Sequence, residues 1–235
     1  MIQKNWNSLL VLSPHLDDAV LSVGGLLAQE ATVSEVLTLC TKLPLEQPEA
    51  MATVQKRQKE DTLAMKELGV SYRHLDELDA YHRRHLAKRV YPTLPSLFAG
   101  INGNDPLTAK KIAELIASGA KSEDTLLCPL GVGAHVDHLL CAGAGALLKN
   151  RGYNVLFYED FPYIRNASKS EVEQRLFDVA PNIQWKSLEL NAPIDKKTKL
   201  VEIYESQVKT LFGTKENLRE ALSTHPFERV WLMAA

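Results

Sequence analysis

The sequence is poor in cysteine and contains no apolar run long enough to cross a membrane. Its three cysteines are an odd number set among apolar neighbours, so we expect buried free thiols and a reducing compartment rather than a disulfide framework. Residues 1–7 are polar, and the apolar segment that follows them is too short for a signal peptide. We therefore expect a cytoplasmic protein without a membrane span.

The chain also lacks an excess of charge of either sign. Its formal net charge is -2, and its lysines and arginines are scattered rather than gathered into a stripe. Because nucleic acids and membrane surfaces are recognised by clustered positive charge, we expect neither as a partner. The sequence shows no repeat and no low-complexity linker, and 235 residues suffice for one large α/β domain. We predict a single domain over residues 1–235, and a homo-oligomer is compatible with this composition.

Short apolar runs alternate with stretches of helical spacing along most of the chain. Strands are predicted at 9–12, 36–41, 70–75, 125–129, 153–158, 184–190 and 230–234. Helices are predicted at 19–30, 49–68, 107–120, 135–150 and 195–211. Alternation of this kind predicts right-handed βαβ units and a mostly parallel sheet. Residues 76–106 show no period, and we expect them to form loops that shape a substrate pocket.

Two polar clusters follow apolar runs and carry the residue types of a metal centre. Residues 13–18 read Ser-Pro-His-Leu-Asp-Asp, and residues 135–138 read His-Val-Asp-His. His15 and Asp18 are three residues apart at a predicted strand-to-helix turn, so both can reach one ion. His138 can join them if the two strands are neighbours. Two histidines and one carboxylate leave zinc an open position for water, although the same set also suits iron(II).

The remaining side chains of the two clusters can move protons. Asp17 stands next to a predicted ligand and is placed to deprotonate the water as general base. His135 lies one helical turn before His138 and could stabilise the oxyanion and protonate the leaving amine, while Asp137 could orient a histidine. A structural interpretation stays open, since Asp17 and Asp18 could cap a helix and the histidines could be ordinary polar residues. Because both clusters follow apolar strands, we favour a metal-dependent hydrolase.

Two other patterns have weaker functional interpretations. Residues 131–133, Gly-Val-Gly, lack the third glycine of a dinucleotide-binding loop and are followed closely by histidine and aspartate. Residues 82–85 read His-Arg-Arg-His. The two histidines are close enough in sequence to bind one metal ion, but the arginines between them would repel a cation. We therefore interpret this segment, including Arg83, as a solvated basic patch that could meet a phosphate or carboxylate of the substrate.

The two polar clusters resemble the motifs of the LmbE-like (PIG-L) N-acetylglucosaminyl deacetylases. The hallmark of that family is His-Pro-Asp-Asp-Glu paired with a later His-x-Asp-His, and this chain has His-Leu-Asp-Asp-Ala at 15–19 and His-Val-Asp-His at 135–138. The resemblance implies a Rossmann-like three-layer α/β sandwich with a mostly parallel sheet. It also implies a role for each of six residues: zinc ligands His15, Asp18 and His138, general base Asp17, acid and oxyanion stabiliser His135, and Asp137 as the partner of His135.

Other parts of the chain match the family less specifically. Arg57 corresponds to a substrate-facing arginine of the family and Asp79 falls near a substrate-binding acid, although a charged helix face would also explain Arg57. Residues 204–207, Tyr-Glu-Ser-Gln, resemble a late Tyr-x-Ser-Gln element. Two positions depart from the family motif. Leu16 replaces its proline, which should leave metal ligation intact, and Ala19 replaces its glutamate.

Together these patterns predict a zinc-dependent hydrolase that removes the acetyl group from an N-acetylglucosamine-type sugar or conjugate. Three alternatives stay open: an amidase acting on another amide such as a thiol-sugar conjugate, a metal-free module that binds a sugar or nucleotide, and an interaction subunit without activity. The departure at Ala19 is the only support for the inactive subunit, and the intact set of ligands and base argues against it.

Overall fold

The computed structural model describes residues 6–191 and 193–233, which form a sheet with helices on both of its faces. The strands are β1 (Leu9–Ser13), β2 (Ser34–Thr38), β3 (Ser71–His74), β4 (Arg84–His85), β5 (Lys88–Arg89), β6 (Thr125–Pro129), β7 (Asn154–Tyr158), β8 (Trp185–Asn191) and β9 (Phe227–Met233). The helices are α1 (Asp18–Gln29), α2 (Pro48–Leu68), α3 (Ala109–Ala117), α4 (Val136–Asn150), α5 (Lys169–Val179), α6 (Ile194–Val201), α7 (Glu205–Leu211) and α8 (Lys215–Thr224).

The sheet has seven strands within the described ranges, in the order β3-β2-β1-β6-β7-β9-β8. The first five of these are parallel, whereas β9 pairs antiparallel with both β7 and β8. Every residue of β1 and of β6 is buried, because central strands of a parallel sheet are covered on both faces. The prediction of a mostly parallel sheet is confirmed.

The helices form two groups, which cover opposite faces of the sheet. One group packs around α1 and contains α2, α6, α7 and α8, while α4 packs between α3 and α5. The contact of α4 with the sheet is close, since a Cβ at Gly145 would lie 2.8 Å from the Phe157 ring and 3.0 Å from Cys128 Sγ. This three-layer α/β arrangement confirms the predicted fold class.

The order of the strands reverses between β1 and β6. From β1 the chain continues through α1 to β2 on one side, and from β6 it continues through α4 to β7 on the other. In open α/β sheets the loops on either side of such a reversal separate and leave a crevice at the carboxyl ends of the strands. The two polar clusters of the sequence lie in the loops that follow β1 and β6 and therefore lie at this crevice.

The structure differs from the sequence-based prediction in several elements. The predicted helix 195–211 is two helices, α6 and α7, and neither α5 nor α8 was predicted. Residues 76–106 contain the β4–β5 hairpin and short 3-10 turns at 80–82 and 95–98. The predicted strand 230–234 corresponds to β9, which begins earlier, at Phe227. Position 234, the last of the predicted strand, lies outside the described residues. That residues 1–235 form one domain stays a prediction.

Two further expectations concern the cysteines and the membrane. Cys40, Cys128 and Cys141 are all buried and free, as predicted from their apolar neighbours. Among the described residues, no helix combines the length and the apolar character needed to cross a bilayer.

Candidate active site

The two motif loops meet at the carboxyl edge of the sheet. Strand β1 leads into His15 and Asp18, and β6, its parallel neighbour, leads into His135 and His138 at the start of α4. The prediction that His138 joins the other ligands required β1 and β6 to be neighbours, and in the structure they are neighbours. The rings of His15 and His138 have their centroids 5.3 Å apart.

The two histidines predicted to be metal ligands converge on one oxygen of the third predicted ligand, Asp18. His15 Nδ1 lies 3.0 Å from Asp18 Oδ2, and His138 Nε2 lies 3.2 Å from the same oxygen. Ligand atoms bound to a tetrahedral zinc ion at about 2.0–2.1 Å are roughly 3.3 Å from one another. Each histidine nitrogen is therefore about as far from the Asp18 oxygen as two ligands of one zinc ion are from each other, and all three side chains are buried.

The histidine nitrogens that face away from Asp18 are held by other carboxylates. His15 Nε2 lies 3.0 Å from Asp137 Oδ2, and His138 Nδ1 lies 2.7 Å from Asp160 Oδ1. Carboxylate–histidine pairs of this kind orient metal-ligating imidazoles. Although His138 Nε2 lies 3.2 Å from Asp18 Oδ2, this contact is not a hydrogen bond, and within the described residues the buried nitrogen has no hydrogen-bond partner, whereas buried polar atoms normally have one. These residues therefore fit a divalent ion held by His15, Asp18 and His138.

Asp160 is a residue of the site that the sequence analysis did not assign. Its Oδ2 accepts hydrogen bonds from the backbone N–H groups of Gly131 and Val132, both at 2.8 Å, while its Oδ1 contacts His138 Nδ1. Asp160 follows the end of β7, the neighbour of β6 in the sheet. An acid directly after a third adjacent strand is the signal that could have identified it.

We expect Asp160→Asn to weaken zinc binding about 10- to 100-fold. An amide has one acceptor oxygen, so its NH2 group must face either the His138 ring or the two backbone N–H groups that Asp160 now satisfies. The dissociation constant for zinc, measured by competition with a chelator, tests this. Glu159→Gln is the matched control, because Glu159 pairs with Arg229 and Trp231 instead. A change in affinity below threefold for Asp160→Asn would show that this carboxylate does not orient His138.

The carboxylate of Asp137 does not pair with His135, and that part of the sequence-based prediction is wrong. Its Oδ2 accepts a hydrogen bond from the Ala80 N–H at 3.0 Å and contacts His15 Nε2, and its Oδ1 is bound by Arg83. His135 instead accepts a hydrogen bond at Nδ1 from the backbone N–H of Asp137, at 3.3 Å. The pairing changes because His135 is the N-cap residue of α4, so its ring folds over the helix start. Asp137 thus orients His15.

Arg83 is buried, so the prediction of a solvated basic patch is wrong for this residue. Its guanidinium is 2 % exposed and binds Asp137 as well as Asp105, with Nη2 2.8 Å from Asp105 Oδ2. Tyr91 donates its hydroxyl proton to the same Asp105 oxygen. The next side chain, Arg84, is exposed as predicted. Arg83 therefore compensates the charge of the carboxylate that holds His15.

The predicted base, Asp17, is in contact with the predicted substrate-binding arginine. Arg57 Nη2 donates a hydrogen bond to Asp17 Oδ1 at 3.1 Å. Among the described residues, Asp17 Oδ2 has no hydrogen-bond donor. Burial raises the pKa of Asp17 to about 6, although the Arg57 charge acts in the opposite direction. The arginine therefore fixes one oxygen of the carboxylate and leaves the other available.

Asp79 lies at the edge of the same cluster. Its Oδ2 is 3.5 Å from His15 Nε2, and its side chain is 25 % exposed. Together with Arg57 and Leu16 it lines a cavity of about 250 Å³ beside the metal ligands. We call this the inner cavity. Both predicted substrate-binding residues, Arg57 and Asp79, therefore line a space that a small ligand could enter.

The ring of His135 packs against both predicted histidine ligands, with its centroid 4.9 Å from that of His15 and 5.5 Å from that of His138. Single ring nitrogens of His15, His135 and His138 all lie within 4.8 Å of one another. Burial lowers the pKa of His135 to about 3, and the charges of the other two histidines act in the same direction. Phe98 covers the ring edge-on, with the centroids 5.2 Å apart. His135 is therefore a neutral imidazole at an apolar wall of the site.

The late Tyr-x-Ser-Gln element, 204–207, does not reach the metal ligands. The Tyr204 hydroxyl donates to Asp61 Oδ1 at 2.8 Å, and the Ser206 N–H donates to Glu60 Oε1 at 3.0 Å. Both acids belong to α2, one turn after Arg57. The element therefore fastens α2, the helix that supplies Arg57, to the start of α7.

The fold and the site together define a class of protein. A mostly parallel α/β sheet carries two histidines and one carboxylate at its topological reversal, with a further carboxylate beside them. This combination is typical of metal-dependent hydrolases, in which three protein ligands leave one position for water.

The chain belongs to the PIG-L family, because residues 10–148 match the family described as GlcNAc-PI de-N-acetylase. The 2'-N-acetylparomamine deacetylase of Streptomyces fradiae is 32% identical over an alignment of 209 positions, which covers 84% of this chain and 72% of the relative. The enzyme of the same name from Niallia circulans is 25% identical over an alignment of 237 positions, which covers 88% of this chain and 82% of the relative.

A solved structure shares the fold over nearly its whole length. The zinc-inhibited form of teicoplanin deacetylase Orf2 superposes with a TM-score of 0.72 at 25% identity, covering 97% of this chain and 98% of that chain. These similarities confirm the family, the fold class and the N-deacetylase activity predicted from the sequence. The roles of the individual site residues stay predictions, and a metal is consistent with both the site and this relative.

Proposed function

We propose that this chain hydrolyses the acetamido group of an N-acetylated amino sugar or sugar conjugate, with a zinc ion held by His15, Asp18 and His138. The observation that carries this proposal is the convergence of two histidine nitrogens on one Asp18 oxygen beside Asp17. The names of the two curated relatives, both 2'-N-acetylparomamine deacetylases, support a sugar substrate. Iron(II) suits the same ligand set, so the metal is part of the proposal.

The bound metal would polarise the amide carbonyl and lower the pKa of a water molecule, which are the usual contributions of a divalent ion to hydrolysis. His15, Asp18 and His138 would hold the ion, and Asp137 and Asp160 orient the two histidines.

Asp17 is the general base in this proposal. Arg57 binds its Oδ1, so Oδ2 accepts the proton as the water oxygen attacks the acetyl carbon. When the C–N bond breaks, Asp17 returns this proton to the departing nitrogen. The products are the free amine and acetic acid, which keeps the second proton of the water and loses it to solvent as acetate, and the Asp17 carboxylate is ready for another cycle.

His135 is a hydrogen-bond donor in this proposal. Because Nδ1 accepts from the Asp137 N–H, the proton of the neutral ring is on Nε2. That N–H can stabilise the amide oxygen as it gains negative charge. The sequence-based expectation was that His135 protonates the leaving amine. Because the N–H of a neutral imidazole is too weak an acid for that step, we assign the protonation of the amine to Asp17.

Acetate release from a panel of N-acetylated sugars tests the proposed function. The panel contains free N-acetylglucosamine, its phosphorylated, nucleotide-linked and lipid-linked forms, and 2'-N-acetylparomamine. We expect the zinc-loaded protein to release acetate from one class, and a chelator to abolish this release. Release that persists in chelator would contradict the metal site. Stoichiometric zinc without release from any sugar would contradict the substrate and redirect the search to other amides.

A further inference from the structure

A second and larger cavity adjoins the inner cavity. Its volume is about 450 Å³, which is within the range of small-molecule sites. Lys42 and His82 line both cavities, so they stand between the space beside Arg57 and the larger space beyond. We call the larger space the outer cavity. A molecule whose acetamido group is at the metal ligands could extend past these two residues into it.

The lining of the outer cavity combines apolar side chains with charges. Its apolar part comes from the loops after β2 and β3 and from the segment just before α3, and includes Leu43, Pro44, Leu78 and Leu107. The charged or titratable residues that line it, apart from the buried Arg83, are Lys42, Glu46, Glu77, His82, Arg84 and Lys111.

The charges in the outer cavity do not cancel. Lys111 Nζ lies 2.8 Å from Glu77 Oε1, so these two side chains neutralise each other. Within the described residues, Lys42, Arg84 and Glu46 have no ion pair, and Lys42 and Arg84 are exposed. Two unpaired cations against one unpaired acid leave an excess of positive charge. A ligand with several ammonium groups would be repelled by it, and an anion would be attracted.

We propose that the outer cavity binds the unit attached to the acetylated sugar, and that this unit is partly apolar and carries a carboxylate or phosphate recognised by Lys42 and Arg84. This inference rests on the proposed function, because it assigns the substrate class of the same site. The apolar lining takes the hydrophobic part of the unit, and the two cations take its anionic group. Because both cations are exposed to water, we expect their attraction to give about a tenfold gain in affinity for this group.

Direct binding tests the cavity without any turnover. Ligand-detected NMR with the zinc-loaded protein compares phenyl phosphate, benzoate and benzylamine, which share one apolar ring and differ in charge. We expect one or both anions to bind and benzylamine not to bind, with the stronger anion identifying the group. Lys42→Glu combined with Arg84→Glu should weaken anion binding about tenfold or more. Lys169→Glu, which makes one such charge reversal at a 91% exposed position outside both cavities, should bind as the unmodified protein does.

Two results of the binding experiment would overturn the proposal. Anion binding that is equal in the double variant and in the unmodified protein would place the anion elsewhere, for instance at the metal. Binding of benzylamine in preference to both anions would show that the cavity selects a cation.

Kinetics then separate this proposal from the proposed function. Phenyl glycosides of N-acetylglucosamine carrying a carboxylate, a phosphate or an ammonium group are compared by KM. We expect a KM about tenfold lower for an anionic glycoside than for the ammonium one, and loss of that ratio in the double variant. Equal KM values for all three would overturn the outer-cavity proposal and leave the deacetylase intact. If no sugar is turned over but an anion still binds in a way that depends on Lys42 and Arg84, the deacetylase assignment would be overturned and the anion site would be retained.

Discussion

Replacing Asp17 with asparagine is expected to lower kcat by about 10²- to 10⁴-fold while the protein still binds one zinc per chain. The amide oxygen can keep the contact that Asp17 Oδ1 makes with Arg57, so the local structure should survive. It cannot take a proton from water, and the metal ligands His15 and His138 are unchanged. Steady-state kinetics with the best substrate of the panel and metal analysis of the same preparation measure the two effects.

The control for this variant is Asp195→Asn, which removes one negative charge from an exposed position of α6. It should leave kcat within experimental error of the original value. A kcat for Asp17→Asn within tenfold of the original would show that another group activates the water. Loss of zinc from Asp17→Asn would instead make this carboxylate a metal ligand, contrary to its contact with Arg57.

The proposed metal ligands could be picked out from the sequence because the chemistry restricts them strongly. Few residue types bind zinc, and a crevice site in an open α/β sheet requires them after strands. His15 and Asp18 follow one apolar run and His138 follows another. Their contact depended only on β1 and β6 being neighbours, and the structure shows that they are.

The residues that hold the ligands could not be predicted in the same way. Asp160 contacts a histidine 22 positions earlier, and Arg83 binds Asp137, which is 54 positions later. A local pattern carries no information on such pairings. A run of charged residues is normally solvated, and nothing in residues 82–85 distinguishes the buried arginine from its exposed neighbour.

The break between α6 and α7 has a similar cause. Leu200, Tyr204 and Val208 are buried at helical spacing, so the pattern predicts one continuous helix. The chain breaks because Glu60, on α2, accepts the Ser206 N–H and so caps a new helix start. A tertiary contact here outweighs the local pattern.

Replacing Arg83 with methionine is expected to lower the free energy of unfolding by about 3–5 kcal/mol, the usual cost of removing one partner from a buried ion pair. Arg83 binds both Asp105 and Asp137, and all three side chains are buried. Methionine fills much of the volume but leaves two carboxylates without a cation. For a chain of this length the loss corresponds to a decrease in Tm of roughly 6–20 °C. Urea denaturation of the zinc-loaded protein, followed by circular dichroism, measures the change.

The neighbouring residue supplies the matched control for this experiment. Arg84→Met removes the same group from an exposed position and should change the stability by no more than about 0.5 kcal/mol. Combining Arg83→Met with Asp105→Asn tests the cause. The asparagine can still accept from the Tyr91 hydroxyl and removes one uncompensated charge, so part of the lost stability should return. If the double variant is as unstable as Arg83→Met alone, lost packing rather than unpaired charge explains the effect, and Arg83 fills space instead of balancing the carboxylate that orients His15.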